Sequence, residues 1–209
     1  MSMNNNASLI YVYDPMCSWC WGFSKTWQEI QARLATELDI VYKVGGLAPD
    51  SDEPMAMSMQ KFLQQTWQRI SDQTGAEFNF DFWRNCEPRR STYPACRAVI
   101  TARYFNKEHA MLEAIQKGYY LLAKNPSNAD DLLSFAQQVG IDTNEFLQLF
   151  GSDLLNQEFQ QELQFVQQLP VHGFPSLVLY YQNQYYAIAI NYTNADDVIT
   201  RIRDVLTQS

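Results

Sequence analysis

The chain has 209 residues, 46% of them apolar and 18% charged, and its 15 basic and 23 acidic side chains give a net charge of -8. That length buries a sizeable core without disulfide staples and suits one large domain or one domain carrying an insertion. The acidic balance excludes a general nucleic-acid or anionic-membrane surface, and no apolar stretch reaches the length of a membrane span.

Met1 to Ser8 is polar, has three consecutive asparagines, and shows neither a basic start nor a long apolar stretch, so no secretory signal is read there. The expected location is cytoplasmic. Cysteines in that compartment stay mostly reduced, so a close pair is catalytic or metal-binding rather than a structural bridge. Leu9 to Tyr13 is β-branched and aromatic without a polar residue, and reads as a buried strand that Asp14-Pro15 ends. Cys17-Ser18-Trp19-Cys20 follows at once. Phe23, Trp27, Ile30, Leu34 and Leu38 then recur at spacings of three and four, one apolar helix face. Ile40 to Val44 reads as a second strand, closed by Gly45-Gly46.

From about Pro49 to Pro170 the period becomes helical. Met55, Met59, Phe62, Leu63 and Ile70 form one stripe, expected to be core rather than a substrate groove. A second helix is predicted from Ser91 or Thr92, with Pro94 in its first turn. Asn128 is placed to cap a third that Gly140 ends, and Asp142 with Glu145 resembles a capping box for a fourth that Gly151 stops. Leu155, Phe159, Leu163 and Val166 continue at helical spacing, for a block of about six helices. Ser176 to Tyr181 and Tyr185 to Ile190 read as two strands around a turn at Asn183, and Val198, Ile199, Ile202, Val205 and Leu206 mark a last helix. The order β–α–β, helices, β–β–α predicts an α/β, thioredoxin-like fold. Residues 1–48 and 171–209 form its core domain, and residues 49–170 a large inserted helical subdomain or lid.

The two cysteines sit at the strand-to-helix turn. A thiol at a helix N-terminus faces unpaired backbone N–H groups and the positive end of the helix dipole, which favour the anion, the nucleophile of thiol–disulfide exchange. Cys17, at the first turn, is expected to be the more open and attacking thiol. Cys20, one turn on, is expected to resolve the mixed disulfide. Ser18 and Trp19 set the local field and face substrate. Val171-His172-Gly173-Phe174-Pro175-Ser176 precedes the third strand, and in this fold the loop would face the cysteines, with the Phe174 backbone free to pair with an extended substrate.

The run Tyr13-Asp14-Pro15-Met16-Cys17-Ser18-Trp19-Cys20-Trp21-Gly22-Phe23, together with Gly173-Phe174-Pro175, resembles the DsbA family of thioredoxin-fold oxidoreductases, particularly its intracellular, protein-disulfide-isomerase-like branch. The resemblance covers nearly the whole chain. It implies a nucleophilic Cys17, a resolving Cys20, and a cis Pro175 that lines a peptide groove with Ser18, Trp19 and Phe174. Its implied substrates are protein or small-molecule thiols and disulfides, exchanged without a bound cofactor. The chain departs from periplasmic DsbA in lacking Pro-His between the cysteines. Kappa-class glutathione transferases and hydroxychromene-carboxylate isomerases are similar in fold and use glutathione as co-substrate. They generally carry Ser where this chain has Cys17, so retention of both cysteines favours dithiol chemistry, with a glutathione-dependent isomerase or transferase as the alternative. Such relatives often form homodimers, and the oligomeric state is left open here.

Other features read more plainly. Zinc needs about four ligands, and beyond the pair only Cys86, Cys96, His109 and His172 remain, so no metal is expected. Cys96 shares a stripe with Val99 and Ile100 and reads as a buried, inert thiol. Asp14 and Lys43 are expected to be solvated or salt-bridged, Arg89-Arg90 to be a solvated surface pair, though one that would suit glutathione carboxylates, and His172 to stay off the site.

Overall fold

The first strand is buried and without a charged or amide side chain from Leu9 to Tyr13 because the sheet is covered on both faces. Residues 7–207 are described in the computed structural model, so the polar segment 1–6 lies outside the described residues. β1 (Ser8–Tyr13) pairs in parallel with β2 (Asp39–Val44) through α1 (Ser18–Leu34). It pairs antiparallel with β3 (Ser176–Tyr181), which turns through Gln182 and Asn183, both at positive φ, into β4 (Gln184–Ile188). The strand order is β2-β1-β3-β4. On one face Leu9, Tyr11 and Tyr13 pack with Phe23, Trp27 and Ile30 of α1 and with α9 (Ala195–Thr207). On the other, Ile10, Val12 and Val178 meet Val166 and Leu169. Strand periodicity thus feeds two apolar clusters from one short segment.

Between β2 and β3 lie α2 (Met57–Thr74), α3 (Phe82–Asn85), α4 (Tyr93–Arg103), α5 (Glu108–Leu121), α6 (Ala129–Gln138), α7 (Thr143–Phe150) and α8 (Asp153–Gln167). The expected block of about six becomes seven among the described residues, because one short turn of helix forms at Phe82–Asn85. Asp142 caps α7 as expected, accepting from the Asn144 and Glu145 backbone N–H groups. Asn128 stands at the α6 N-cap position, but its side chain makes no cap; its Oδ1 accepts from Arg89 instead. Thr92 likewise makes no side-chain cap at α4.

One ion cluster ties this block to the sheet. The buried Glu162 on α8 accepts from the Val44 backbone N–H at 2.7 Å, from Lys43 Nζ at 3.0 Å and from Arg103 Nη1 at 2.9 Å. Lys43 is therefore salt-bridged. Burial pushes the Glu162 carboxyl up, but Arg103, Lys43 and the Val44 N–H outweigh burial and hold it below the usual carboxylate range. Stability from a carboxyl depressed in the fold is present above its unfolded value of about 4.3 and lost as pH falls through the folded value. Glu162→Gln should destabilise the protein by roughly 2–4 kcal/mol at neutral pH, since it strands buried positive charge. In urea unfolding, the gap from wild type should narrow once the pH drops below about 4. A gap independent of pH would show that the charge contributes nothing.

Candidate active site

Asp14-Pro15 ends β1, and the backbone then folds straight into α1. The Cys17 N–H donates to Asp14 O at 3.0 Å, and the Cys17 carbonyl accepts from the Trp21 N–H at 3.1 Å, so Cys17 is the N-cap residue. The Asp14 carboxylate lies fully buried under this turn. It accepts from the Met16 N–H at 2.8 Å, the Leu47 N–H at 2.7 Å and the Thr92 hydroxyl at 2.6 Å, with the Cys96 thiol at 3.5 Å. Asp14 is thus neither solvated nor salt-bridged. Burial raises its carboxyl, opposed by those same hydrogen bonds. The Thr92 hydroxyl donates to Asp14 and accepts from the Ala48 N–H, which is why it does not cap α4.

Both cysteines of the pair are free thiols. Cys17 is the more open, but only at 6% exposure; Cys20 is at 0%. The Cys17 thiol donates to the Phe174 carbonyl at 3.4 Å and accepts no backbone N–H at the cap. Burial, and then the adjacent Cys17 thiol, push the Cys20 thiol well up. The Phe174–Pro175 bond is cis. Phe174 lines the space in front of Cys17 and, with the buried Pro175, a second surface hollow that includes the exposed His172. Gly45 makes the loop's approach feasible, because a Cβ there would lie 2.0 Å from the Phe174 ring.

In front of Cys17 opens a cleft of about 290 Å³. Ser18 and Trp19 line it. Ser18 Oγ also accepts from Trp67 Nε1 at 2.9 Å, which pins the start of α1 to α2. Trp21 is tied away, donating to Glu77 O at 2.9 Å and stacking on Tyr120, while Phe23 packs inward. The stripe divides: Ile70 is core as read, and Met55, just ahead of α2, is buried, but its Phe62 and Leu63 side is not core. Met55, Phe62 and Leu63 line the cleft, Phe62 is 55% exposed, and the buried face of α2 is Thr66, Trp67 and Ile70. Arg89 is not solvated either. Its Nη2 donates to Ser127 O at 2.8 Å and Asn128 Oδ1 at 2.6 Å, and with Arg69 and Arg90 it lines the same cleft. Cys96 is fully buried, and Cys86 is half-buried with its thiol donating to Ala123 O. Among the described residues, no group of three or more His, Cys, Asp or Glu could hold a metal ion, and no helix is long and apolar enough to cross a membrane.

A family profile described as Thioredoxin matches residues 11–199. The chain belongs to this family. A Nitrosomonas europaea structure, provisionally described as a protein disulfide isomerase, is 26% identical and superposes with a TM-score of 0.84 over 97% of this chain and 98% of that one. The cytosolic disulfide reductase DsbM of Pseudomonas aeruginosa shares the fold at 22% identity, with a TM-score of 0.76 over 97% of this chain and all of that one. The chain is a DsbA-like thioredoxin-fold protein, as the sequence resemblance implied. Among curated relatives, the ClpXP adapter protein SpxH of Halalkalibacterium halodurans is 23% identical over 181 residues, 83% of this chain. The chain spans 59% of that relative's length.

The four thiols differ in ways a simple experiment resolves. Burial raises Cys20, Cys86 and Cys96, while Cys17 alone opens to the cleft. Brief alkylation of the native protein near neutral pH, mapped by peptide mass, should label Cys17 first and Cys86 slowly. Cys20 and Cys96 should be labelled only after unfolding, and raising the pH to about 9 should not unmask them. Labelling Cys20 before Cys17 would reverse the assignment.

Proposed function

We propose that this protein is a thiol–disulfide oxidoreductase working through the Cys17–Cys20 dithiol. The observation that carries the reading is the stagger of two free thiols on one helical turn: Cys17 borders a cleft and Cys20 is sealed beneath it. In the reductive direction Cys17 sulfur, as the thiolate, attacks one sulfur of a substrate disulfide. A Cys17–substrate S–S bond forms, the substrate S–S bond breaks, and the departing thiolate takes up a proton. Cys20 then loses its proton and attacks Cys17 sulfur, giving the intramolecular disulfide and releasing the second substrate thiol. Two electrons pass from the dithiol to the substrate, and the oxidative direction is the reverse. Because burial favours the protonated Cys20, the second attack waits until the mixed disulfide has formed beside it. The Phe174 backbone supports substrate at the site, and its carbonyl is the group Cys17 already faces. Glutathione is a candidate co-substrate.

A second reading rests on the sequence relatives named as adapters: a binding protein that uses the same cleft without exchange chemistry. The two readings separate on cysteine variants in an insulin-reduction assay. Cys17→Ser should abolish activity, and Cys20→Ser should accumulate mixed disulfides visible on non-reducing gels. Full activity without Cys20 would favour a glutathione-dependent isomerase or transferase instead. Wild-type activity in the double variant would end the redox proposal.

A further inference from the structure

The chain has nine arginines. Six of them, Arg33, Arg84, Arg97, Arg103, Arg201 and Arg203, are ion-paired with a carboxylate. Among the described residues the other three, Arg69, Arg89 and Arg90, have no carboxylate partner, and all three line the cleft in front of Cys17. In a protein with 23 acidic against 15 basic side chains, unneutralised guanidinium groups are scarce. Their collection at one apolar hollow is a chemical feature of that hollow.

Each of the three is held by neutral or aromatic groups that orient it without cancelling its charge. Arg69 Cζ lies 5.5 Å from the Trp19 ring centroid, within cation–π range. Arg89 is clamped by Ser127 O and Asn128 Oδ1. Its chain segment is fixed by the Met55 N–H donating to Pro88 O at 2.8 Å. Arg90 is exposed, with Nη1 3.8 Å from Met59 Sδ. Among the described residues no Asp or Glu lines the cleft. Asp14 lies below its floor, satisfied by Met16, Leu47 and Thr92. Guanidinium forks match carboxylates in shape and charge, and the apolar wall of Met55, Phe62 and Leu63 reduces competing water.

We infer that this cleft selects extended, cysteine-bearing peptide segments with carboxylate side chains beside the reacting sulfur, and that Arg69, Arg89 and Arg90 determine that specificity. The inference rests on the oxidoreductase reading of Cys17 and adds the class of substrate. The volume of about 290 Å³ is at the small end for ligand sites and suits a few side chains of an extended segment rather than a folded surface.

The test uses three synthetic peptides, identical except for acidic, neutral or basic residues flanking one cysteine. Each is supplied as a mixed disulfide with a chromogenic thiol and reacted in single turnover with pre-reduced full-length protein. The protein dithiol supplies both electrons and the chromogenic thiol leaves. At about 0.1 M salt the acidic peptide should react roughly fivefold faster than the basic one, and the ratio should collapse near 1 M. Arg69→Gln and Arg90→Gln should each shrink that ratio. Arg203→Gln, which removes equal charge at the remote Glu37 pair, should not. Equal rates for all three peptides, or a ratio that responds as much to Arg203→Gln, would overturn the inference. Glutathione disulfide serves as a further arm: a rate matching the acidic peptide shows that carboxylates alone suffice and overturns the requirement for an extended segment. Binding of S-methyl versions of the peptides, followed by tryptophan fluorescence, reads the preference without chemistry. Preference there without exchange sinks the oxidoreductase reading and leaves the charge selection standing; no preference there sinks the charge selection.

Discussion

A carboxylate shut away from water holds the two-cysteine turn in place. Asp14 gathers hydrogen bonds from the turn itself at Met16, from the segment leaving β2 at Leu47, and from the start of α4 at Thr92. Burying a carboxylate costs several kcal/mol, and hydrogen bonds to a charged acceptor return about 1.5–3 kcal/mol each. Three such bonds are therefore needed to bring the cost near balance, and those three come from separate segments. The sheet, the β2 exit and the helical block meet at one residue. Cys17 is the first residue above that junction, and its own N–H is bound to the Asp14 carbonyl. The position of the sulfur is thus inherited from a network that would lose a partner if any of the three segments moved.

The same compactness sets the difference between the thiols. Cys20 lies on the inner side of α1 against the sheet aromatics, whereas Cys17 lies at the helix start, where the cleft reaches it. One helical turn converts a small step along the chain into a step from wall to interior. Phe174 then closes the other side, and its ring fits only because residue 45 has no side chain. Glycine at this position reflects close approach rather than backbone freedom; the positive φ belongs to Gly46 next to it.

What the sequence disclosed follows from periodicity. β1, α1, β2 and the terminal hairpin were legible because each buries one regular face or, for β1, both. α5 was not, since Met111, Leu112, Ala114, Ile115, Gly118, Tyr119 and Tyr120 are buried around most of its circumference, leaving no single stripe to read. The stripe from Met55 to Ile70 was visible but only partly placed, with Ile70 in the core and Phe62 and Leu63 facing the cleft. Hydrophobicity shows that Met55, Phe62 and Leu63 form an apolar side; it cannot show whether protein or an open cleft covers that side. Asp14 read as a turn former because Asp-Pro ends strands locally, and its partners at Leu47 and Thr92 exist only in three dimensions. Arg89 read as surface for the same reason: its acceptors Ser127 and Asn128 lie 38 and 39 residues away.

Net charge gave the least guidance about the site, and the physics of screening explains why. At physiological salt, charges farther apart than about 8 Å are largely muted, so a cleft responds to its own lining and hardly to the sum over the molecule. The total of -8 is spread over a surface where most arginines are already neutralised by nearby carboxylates. The three that are not line one cleft beside apolar walls, Arg89 half-buried and Arg69 and Arg90 at its exposed rim. A substrate meeting Cys17 would thus encounter a positive, largely apolar surface on a protein that is negative as a whole. The diffuse negative field would weaken long-range approach of an acidic segment, leaving discrimination to contact within the cleft itself.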